Sequence, residues 1–358
     1  MSKKRIAVLT SGGDCPGLNA VIRSVVCAAT NLKWEVIGFH DGFEGILPPE
    51  RWQPLTLENT EGIMPRGGTI LGTTNRGHFI SKVGGGQRSR ISSEVIGKTK
   101  ATLAKLQVDA MICIGGDGSL TTAQTLHENG IPVIGVPKTI DNDLEATAMT
   151  FGFDSAVACV ADALDRLHTT ASAHKRVMVI EVMGRHAGWI ALYGGLAGGA
   201  DIILLPEIPF DIQSVCTTIR KRESQGRTST LIVVAEGATP HGGREQYKPA
   251  AGEYRLGGIA DTVGRELSKY MDKEIRTCVL GHLQRGGAPS TLDRILGTRF
   301  GVMAVDLVVE GKFGHMVSYQ NYQMLSVPIE EAVSKLKRVQ PDSQIVETAR
   351  AIGITFGD

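Results

Sequence analysis

No CxxC pair occurs among the six cysteines of this 358-residue chain, at positions 15, 27, 113, 159, 216 and 278, and none of them joins histidines at zinc-ligand spacing. A zinc ribbon, a paired redox centre and a disulfide scaffold therefore find no support. Cys27, Cys113, Cys159 and Cys278 lie in apolar stretches and read as small core residues. There is no apolar run long enough to cross a bilayer. The short run after Met1-Ser2-Lys3-Lys4-Arg5 is ended by Gly12-Gly13-Asp14 before it reaches the length of a secretory signal. Cytoplasm is the expected compartment, with no membrane partner. Neither sign of charge dominates: 38 basic and 37 acidic residues leave a formal net charge of +1. Without a basic arm, nucleic acid is not an expected partner. A Walker A loop is absent, and so is a G-x-G-x-x-G fingerprint, which leaves a nicotinamide-dependent oxidoreductase without its main signature.

What the chain does have is glycine, 44 residues of it, well above the roughly 7% of average usage. These glycines follow no collagen-like period. They cluster directly after apolar runs, as expected where backbone is held close to ligands. The length exceeds what one hydrophobic core normally fills, so one large or two medium domains are expected.

The apolar runs recur with a regular rhythm. Residues 5–10, 36–39, 110–114 and 132–136 read as buried strands, and 18–29, 93–107 and 120–129 as helices. Further on, 176–182, 201–205, 230–235 and 276–280 read as strands, and 156–170, 188–195, 212–225, 259–270 and 291–309 as helices. Repeated strand–turn–helix order implies an α/β fold with mainly parallel sheets in two three-layer lobes, with ligands at the carboxyl ends of the strands. The tail from residue 316 reads as a short strand and a few helices and shows no evident chemistry.

Three loops carry groups suited to phosphate chemistry. Gly115-Gly116-Asp117-Gly118-Ser119 lies between a strand and a helix, where backbone amides can hold a phosphate and Asp117 a magnesium ion. A glycine-rich turn with a solvated aspartate reads the same way locally. Ser11-Gly12-Gly13-Asp14 has the same placement after the first strand. Pro137-Lys138-Thr139-Ile140-Asp141-Asn142-Asp143 follows another buried strand. Asp141 there can take a proton from an attacking hydroxyl, and Asp143 can hold magnesium or its waters; an Asx-rich capping turn is the plain alternative. Later, Met183-Gly184-Arg185, Glu236 and the His282 to Arg285 segment each follow a strand, and Arg176 begins one. Arginine and histidine suit the phosphate of a sugar phosphate, and Glu236 suits its hydroxyls.

Taken in order, Ser11-Gly12-Gly13-Asp14, Gly115-Gly116-Asp117-Gly118-Ser119, Thr139-Ile140-Asp141-Asn142-Asp143, Met183-Gly184-Arg185 and Gly281-His282-Leu283-Gln284-Arg285-Gly286-Gly287 closely resemble the 6-phosphofructokinase family from residue 5 to about 310. The resemblance implies a phosphotransferase of glycolysis that phosphorylates the 1-hydroxyl of fructose 6-phosphate, with Mg2+ and ATP. It implies that Asp141 is the catalytic base, that Thr139 touches the reacting end of the sugar, and that Asp143 acts beside them. Asp117, with Asp143, would hold the metal, and Gly13, Gly118 and Ser119 the donor. Arg185 would neutralise charge in the transition state together with an arginine of the Thr73-Thr74-Asn75-Arg76 segment. The family's arginine aligns with Asn75, so Arg76 is the expected substitute. Met183, Gly184, Glu236, His282 and Arg285 match sugar-phosphate contacts of one subunit. Arg176 and Arg276 match residues that reach a neighbouring subunit's site, so a homo-oligomer, commonly a tetramer, is implied. On this resemblance residues 1–152 with about 265–315 form the donor lobe, and 153–264 with about 316–358 the sugar lobe.

The resemblance also bears on the donor. Pyrophosphate users in the family typically carry aspartate at the position of Gly118 and lysine at that of Lys138; here only the lysine is present. The missing aspartate leaves room for a nucleotide, so ATP is expected and pyrophosphate is the alternative. A non-catalytic family member would have lost Asp141, Asp117 or Arg185, and all three remain. At the family's effector site Arg23 is kept, while Cys27 and His168 stand where arginine is usual and Asp201 where glutamate is usual. That site has lost phosphate-binding donors, which leaves open whether the familiar effectors act here.

Overall fold

Five- and six-residue apolar runs ended by glycine or a polar turn form strands buried on both faces, which is what a parallel sheet covered by helices requires. The computed structural model describes residues 4–79, 91–250 and 253–358. Met1 to Lys3 of the N-terminal reading lie outside the described residues.

The first third of the chain forms β1 (Arg5–Thr10), α1 (Leu18–Asn31), β2 (Glu35–Phe39), β3 (Trp52–Leu55), α2 (Ser93–Lys105), β4 (Ala110–Gly115), α3 (Asp117–Glu128) and β5 (Val133–Pro137). Then come α4 (Phe153–His174), β6 (Val177–Val182), α5 (Trp189–Ala197), β7 (Ile202–Leu204), α6 (Ile212–Ser224), β8 (Thr230–Ala235), β9 (Tyr247–Ala250) and β10 (Glu253–Leu256). The rest is α7 (Ile259–Ser268), β11 (Ile275–Val279), α8 (Thr291–Glu310), β12 (His315–Gln320), β13 (Gln323–Pro328), α9 (Ile329–Ala332) and α10 (Gln344–Ala351). No described helix is long and apolar enough to span a membrane.

These elements form two units. The first comprises residues 1–140, 144–155 and 285–336, and the second 141–143, 156–284 and 337–358. Both are α/β with mainly parallel sheets, as expected.

The first unit holds a seven-stranded sheet ordered β13-β12-β5-β4-β1-β2-β3, parallel except at its edge strands β3 and β13. One face of it is packed by α2, α3 and α9 through residues such as Leu9, Phe39, Met111, Leu120 and Ile329. From β1 the chain moves outward to β2, then returns to the other side of β1 for β4. The loops after β1 and β4 therefore diverge from neighbouring strands, the place where open α/β sheets bind ligands.

The second unit holds a four-stranded parallel sheet ordered β11-β6-β8-β7 and a separate antiparallel pair, β9 with β10. Val179, Ile202, Ile232, Val234, Ile219 and Val263 fill the space between the sheet and helices α6 and α7. The last residues extend this sheet, since Ile203 N donates to Thr355 O at 3.0 Å beside β7.

The lobe boundaries differ from the expected ones in four stretches, the short ones being 141–143, which fall in the second unit, and 153–155, which fall in the first. Residues 265–284 stay with the second unit because β11 pairs with β6 over Ile275–Val279. Residues 316–336 stay with the first because β12 pairs with β5 and with β13. The expected single short strand of the tail is this two-stranded antiparallel arm. The antiparallel pair at 247–256 was also not foreseen.

Candidate active site

In the first unit three loops meet at the carboxyl ends of β1, β4 and β5. Ser11 N donates to Ile114 O at 2.9 Å, which fixes the first loop against the end of β4. The helix after β4 starts earlier than the sequence pattern suggested. Gly116 is its N-cap, so Asp117, Gly118 and Ser119 form the first turn of α3, and their amides face outward at the positive end of the helix. All three are half-buried.

Gly13 lies against the guanidinium of Arg285: a Cβ there would stand 2.9 Å from Nη1. Arg285 Nη1 also donates to Asp14 O at 3.1 Å. The structure thus places Arg285, expected among the sugar contacts, on the glycine loop of the first unit. The cause is its position past the end of β11, where the chain re-enters that unit. Lys138 is buried at 4% exposure, and its Nζ donates to Gly13 O at 2.5 Å. Thr139 is buried as well and accepts a bond from Thr150 Oγ1 at 2.6 Å through its carbonyl. The 73–76 segment is tied to the same loop, since Gly12 N donates to Thr74 O at 3.2 Å and Thr73 Oγ1 to Gly12 O at 2.6 Å. Arg76 follows this anchor with its side chain exposed.

Cys15 sits behind the glycine loop and is fully buried. Burial pushes its thiol up to about 12, against the opposing pull of Lys138. Burial likewise raises Cys113. Neither thiol is a nucleophile at neutral pH.

The second unit gathers a different set. Asp141, Asn142 and Asp143 are buried at 2%, 4% and 5% exposure. Asp141 Oδ2 lies 3.7 Å from Arg185 Nε. Arg185 follows β6 in the left-handed region at φ 52°, after Gly184 at φ 143°. Its amide donates to Glu236 Oε1 at 2.9 Å. Glu236 directly follows β8, and the loops touch so closely that a Cβ on Gly237 would stand 2.1 Å from Arg185 O. Burial and the nearby charge of Asp141 hold the Glu236 carboxyl up at about 7. Met183 and Gly184 precede Arg185 on the same loop, and His282 is exposed in the short turn Gly281–Arg285 after β11.

Arg176 and Arg276 stand at the opposite ends of these strands. Arg176 precedes β6 and donates to Glu274 Oε1 at 2.8 Å, and Arg276, near the start of β11, pairs with Glu274 too. Within one chain the structure does not bring them to Asp141.

One residue with no sequence signal does reach the Asp141 loop. Lys337, in the tail, donates its amide to Asp143 O at 2.9 Å and its Nζ to Asn142 Oδ1 at 3.1 Å. A lone lysine in a polar tail carries no local pattern that would have marked it.

The residues at the expected effector positions are engaged locally. Arg23 Nη1 donates to Thr60 Oγ1 at 2.9 Å in the first unit. In the second, His168 Nε2 donates to Gly198 O at 2.9 Å, and Asp201 takes Arg222 at 2.7 Å.

Magnesium fits these groups without a dedicated cage. No cluster of three or more acidic, histidine or cysteine groups occurs among the described residues. Mg2+ ordinarily takes one or two carboxylates and fills its shell with water and substrate phosphates, and Asp117 on the first turn of α3 supplies such a carboxylate.

Known proteins resemble this chain in sequence and fold. The family described as Phosphofructokinase matches residues 5–308. The ATP-dependent 6-phosphofructokinase of Chloroflexus aurantiacus is 55% identical over 358 residues, covering 99% of this chain and 98% of that protein. The pyrophosphate–fructose 6-phosphate 1-phosphotransferase of Amycolatopsis methanolica is 48% identical over 343 residues, covering 94% of this chain and 97% of that protein. The solved structure of phosphofructokinase from Saccharomyces cerevisiae matches with a TM-score of 0.80 at 31% identity, over 92% of this chain and 45% of that longer one. With a family match over most of its length and full-length relatives of this identity, the chain belongs to the phosphofructokinase family.

Proposed function

We propose that this protein is an ATP-dependent 6-phosphofructokinase, which transfers the γ-phosphoryl group of ATP to the 1-hydroxyl of D-fructose 6-phosphate and yields fructose 1,6-bisphosphate and ADP. The observation that carries this reading is the buried Asp141 with Arg185 Nε at 3.7 Å and Glu236 bonded to the amide of Arg185. A carboxylate so placed takes the proton of a sugar hydroxyl, while the guanidinium opposes charge that builds on a phosphoryl group.

Asp141 accepts the 1-hydroxyl proton as that oxygen attacks the γ-phosphorus. The bond from the γ-phosphorus to the bridging oxygen breaks, and ADP leaves with the electron pair. Met183, Gly184, Glu236 and His282 hold the sugar phosphate. Gly13, the first turn of α3 with Gly118 and Ser119, and Arg76 hold the donor, with Arg285 bracing the glycine loop. When bound, Mg2+ neutralises phosphate oxygens, and Asp117 and Asp143 are the residues that would hold it. Arg176 and Arg276 face away from their own Asp141 and serve a neighbouring subunit's site in a homo-oligomer. The engaged state of His168 and Asp201 supports a weak response to the phosphate effectors of the family.

Transfer from pyrophosphate is the second reading, favoured by one observation, the buried Lys138 ammonium at Gly13 O. Gly118 favours the nucleotide, since it adds neither bulk nor negative charge beside the α-phosphate. Purified protein assayed with fructose 6-phosphate and each donor, with the product identified, tests both. A higher kcat/KM with ATP is expected. A higher value with pyrophosphate transfers the proposal to the second reading, and no bisphosphate with either donor removes both.

A further inference from the structure

Two carboxylates within three buried residues need opposing charge and fixed partners, because a buried charge without them is costly. Arg185 supplies one cation to the loop at Asp141. Lys337 supplies another. Lysine only donates, so the oxygen of the Asn142 amide must face its Nζ, as found at 3.1 Å. Asn142 is at φ 51°, left-handed backbone that asparagine tolerates better than most non-glycine residues. The Lys337 amide grips the next residue through Asp143 O at 2.9 Å.

Lys337 is itself tightly placed. Trp189 Nε1 donates to Lys337 O at 2.8 Å, and the Lys337 Nζ lies 5.7 Å from the centre of the Trp189 ring. Two residues on, Val339 N donates to Glu207 Oε1 at 3.0 Å, and the same oxygen accepts Gly188 N at 3.0 Å. Gly188 and Trp189 open α5, just past Met183-Gly184-Arg185. A single tail segment therefore ties the Asp141 loop to the helix that follows the Arg185 loop.

We propose that Lys337 is a positioning residue for phosphoryl transfer, fixing the backbone of Asn142 and Asp143 so that the Asp141 carboxylate is aimed at the reacting hydroxyl. This rests on the reading of Asp141 as the base. Lys337 is assigned no contact with either substrate, so its loss acts on kcat and leaves sugar binding nearly unchanged.

The test compares wild type, Lys337→Met and Lys337→Arg in the full-length protein, by steady-state kinetics with fructose 6-phosphate and ATP and by thermal melts. Methionine keeps an unbranched apolar side chain of similar length and removes the ammonium. Lys337→Met is expected to lower kcat roughly 10- to 100-fold, the scale of a small misplacement of a catalytic group, with KM for the sugar within about threefold. Lys337→Arg keeps a charged donor and is expected to recover most of that loss, which a purely packing role would not give. A Lys337→Met kcat within about threefold of wild type overturns the proposal, and so does an equal loss in both variants. Should Lys337→Met not fold, Trp189→Phe deletes the indole donor to Lys337 O; it is expected to lower kcat about threefold at constant KM, and an unchanged kcat overturns the proposal. Wild type inactive with both donors would instead defeat the reading of Asp141 on which it rests.

Discussion

The amide of Arg185 donates to Glu236 Oε1 at 2.9 Å, joining the loop after β6 to the loop after β8. One backbone bond thus sets the distance between a guanidinium and a carboxyl that the proposed reaction uses for different purposes. The bond itself favours the ionised carboxyl, but burial and the charge of Asp141 outweigh it and hold that carboxyl well above its usual range.

Glu236 titrates at about 7 in the folded protein against 4.5 for an ordinary glutamate, because burial and the charge of Asp141 disfavour its ionised form. The raised value means that the folded state binds this proton more tightly than the unfolded chain. Its stabilising contribution is complete below about pH 4.5 and is lost as pH rises through about 7. Glu236→Gln removes the ionisation, so it should lose less stability than wild type between pH 5 and 8, by up to roughly 3 kcal/mol. The same variant should raise KM for fructose 6-phosphate about tenfold, as a charged acceptor is lost. Denaturant titrations at both pH values, with kinetics at pH 8, check the pair of effects; an identical pH slope in both proteins would count against the assignment.

Asp141→Ala should lower kcat about 10²- to 10⁴-fold while sugar binding persists, the range of general-base assistance. Calorimetric titration of fructose 6-phosphate beside the kinetics separates the two. A kcat near wild type would remove Asp141 from the mechanism.

Gly118→Asp places a carboxylate on the first turn of α3, where a nucleotide's α-phosphate is proposed to lie. The kcat/KM for ATP should fall on the order of 100-fold, since like charges brought together cost several kcal/mol. Sugar affinity should change little. With Lys138 retained, this variant is the background in which pyrophosphate activity should first appear. Kinetics with each donor decide it, and undiminished ATP use would sink the assignment of Gly118.

Arg176 should complete a neighbouring subunit's site. Mixing Asp141→Ala with Arg176→Ala subunits, each nearly inactive alone, should restore activity once subunits have exchanged. Proven exchange with no recovery would show that each chain builds its own site.

The parallel strands were legible because burial on both faces leaves uninterrupted apolar runs, as in Arg5–Thr10 and Val177–Val182, and glycine marks where they stop. The start of α3 was read late because Asp117, Gly118 and Ser119 look like a loop, although acidic and small residues are favoured in a first turn. The arm β12–β13 was not legible because its partner, β5, lies about 180 residues earlier in the chain, and local pattern cannot encode such a pairing. Motif content located Asp141, Arg185 and Glu236, whose neighbours along the chain are distinctive. It could not show that the Arg285 side chain turns back to Gly13 and Asp14, and it passed over Lys337, whose bonds to the Asp141 loop exist only in three dimensions.

Arg185 and Asn142 both hold left-handed backbone, at φ 52° and 51°. At a residue such as Arg185 that conformation costs on the order of 1–3 kcal/mol, and less at an asparagine, so the two loops nearest the base are among the places where this fold gives up robustness. A campaign to harden the protein against heat would be drawn to these positions, since glycine there relaxes the backbone. It would then be trading turnover for endurance, because the side chains replaced are the ones that carry the guanidinium and receive the Lys337 ammonium. Heat tolerance is better sought at turns remote from both loops, such as the exposed Lys33, which is also left-handed at φ 61° and takes no part in either loop.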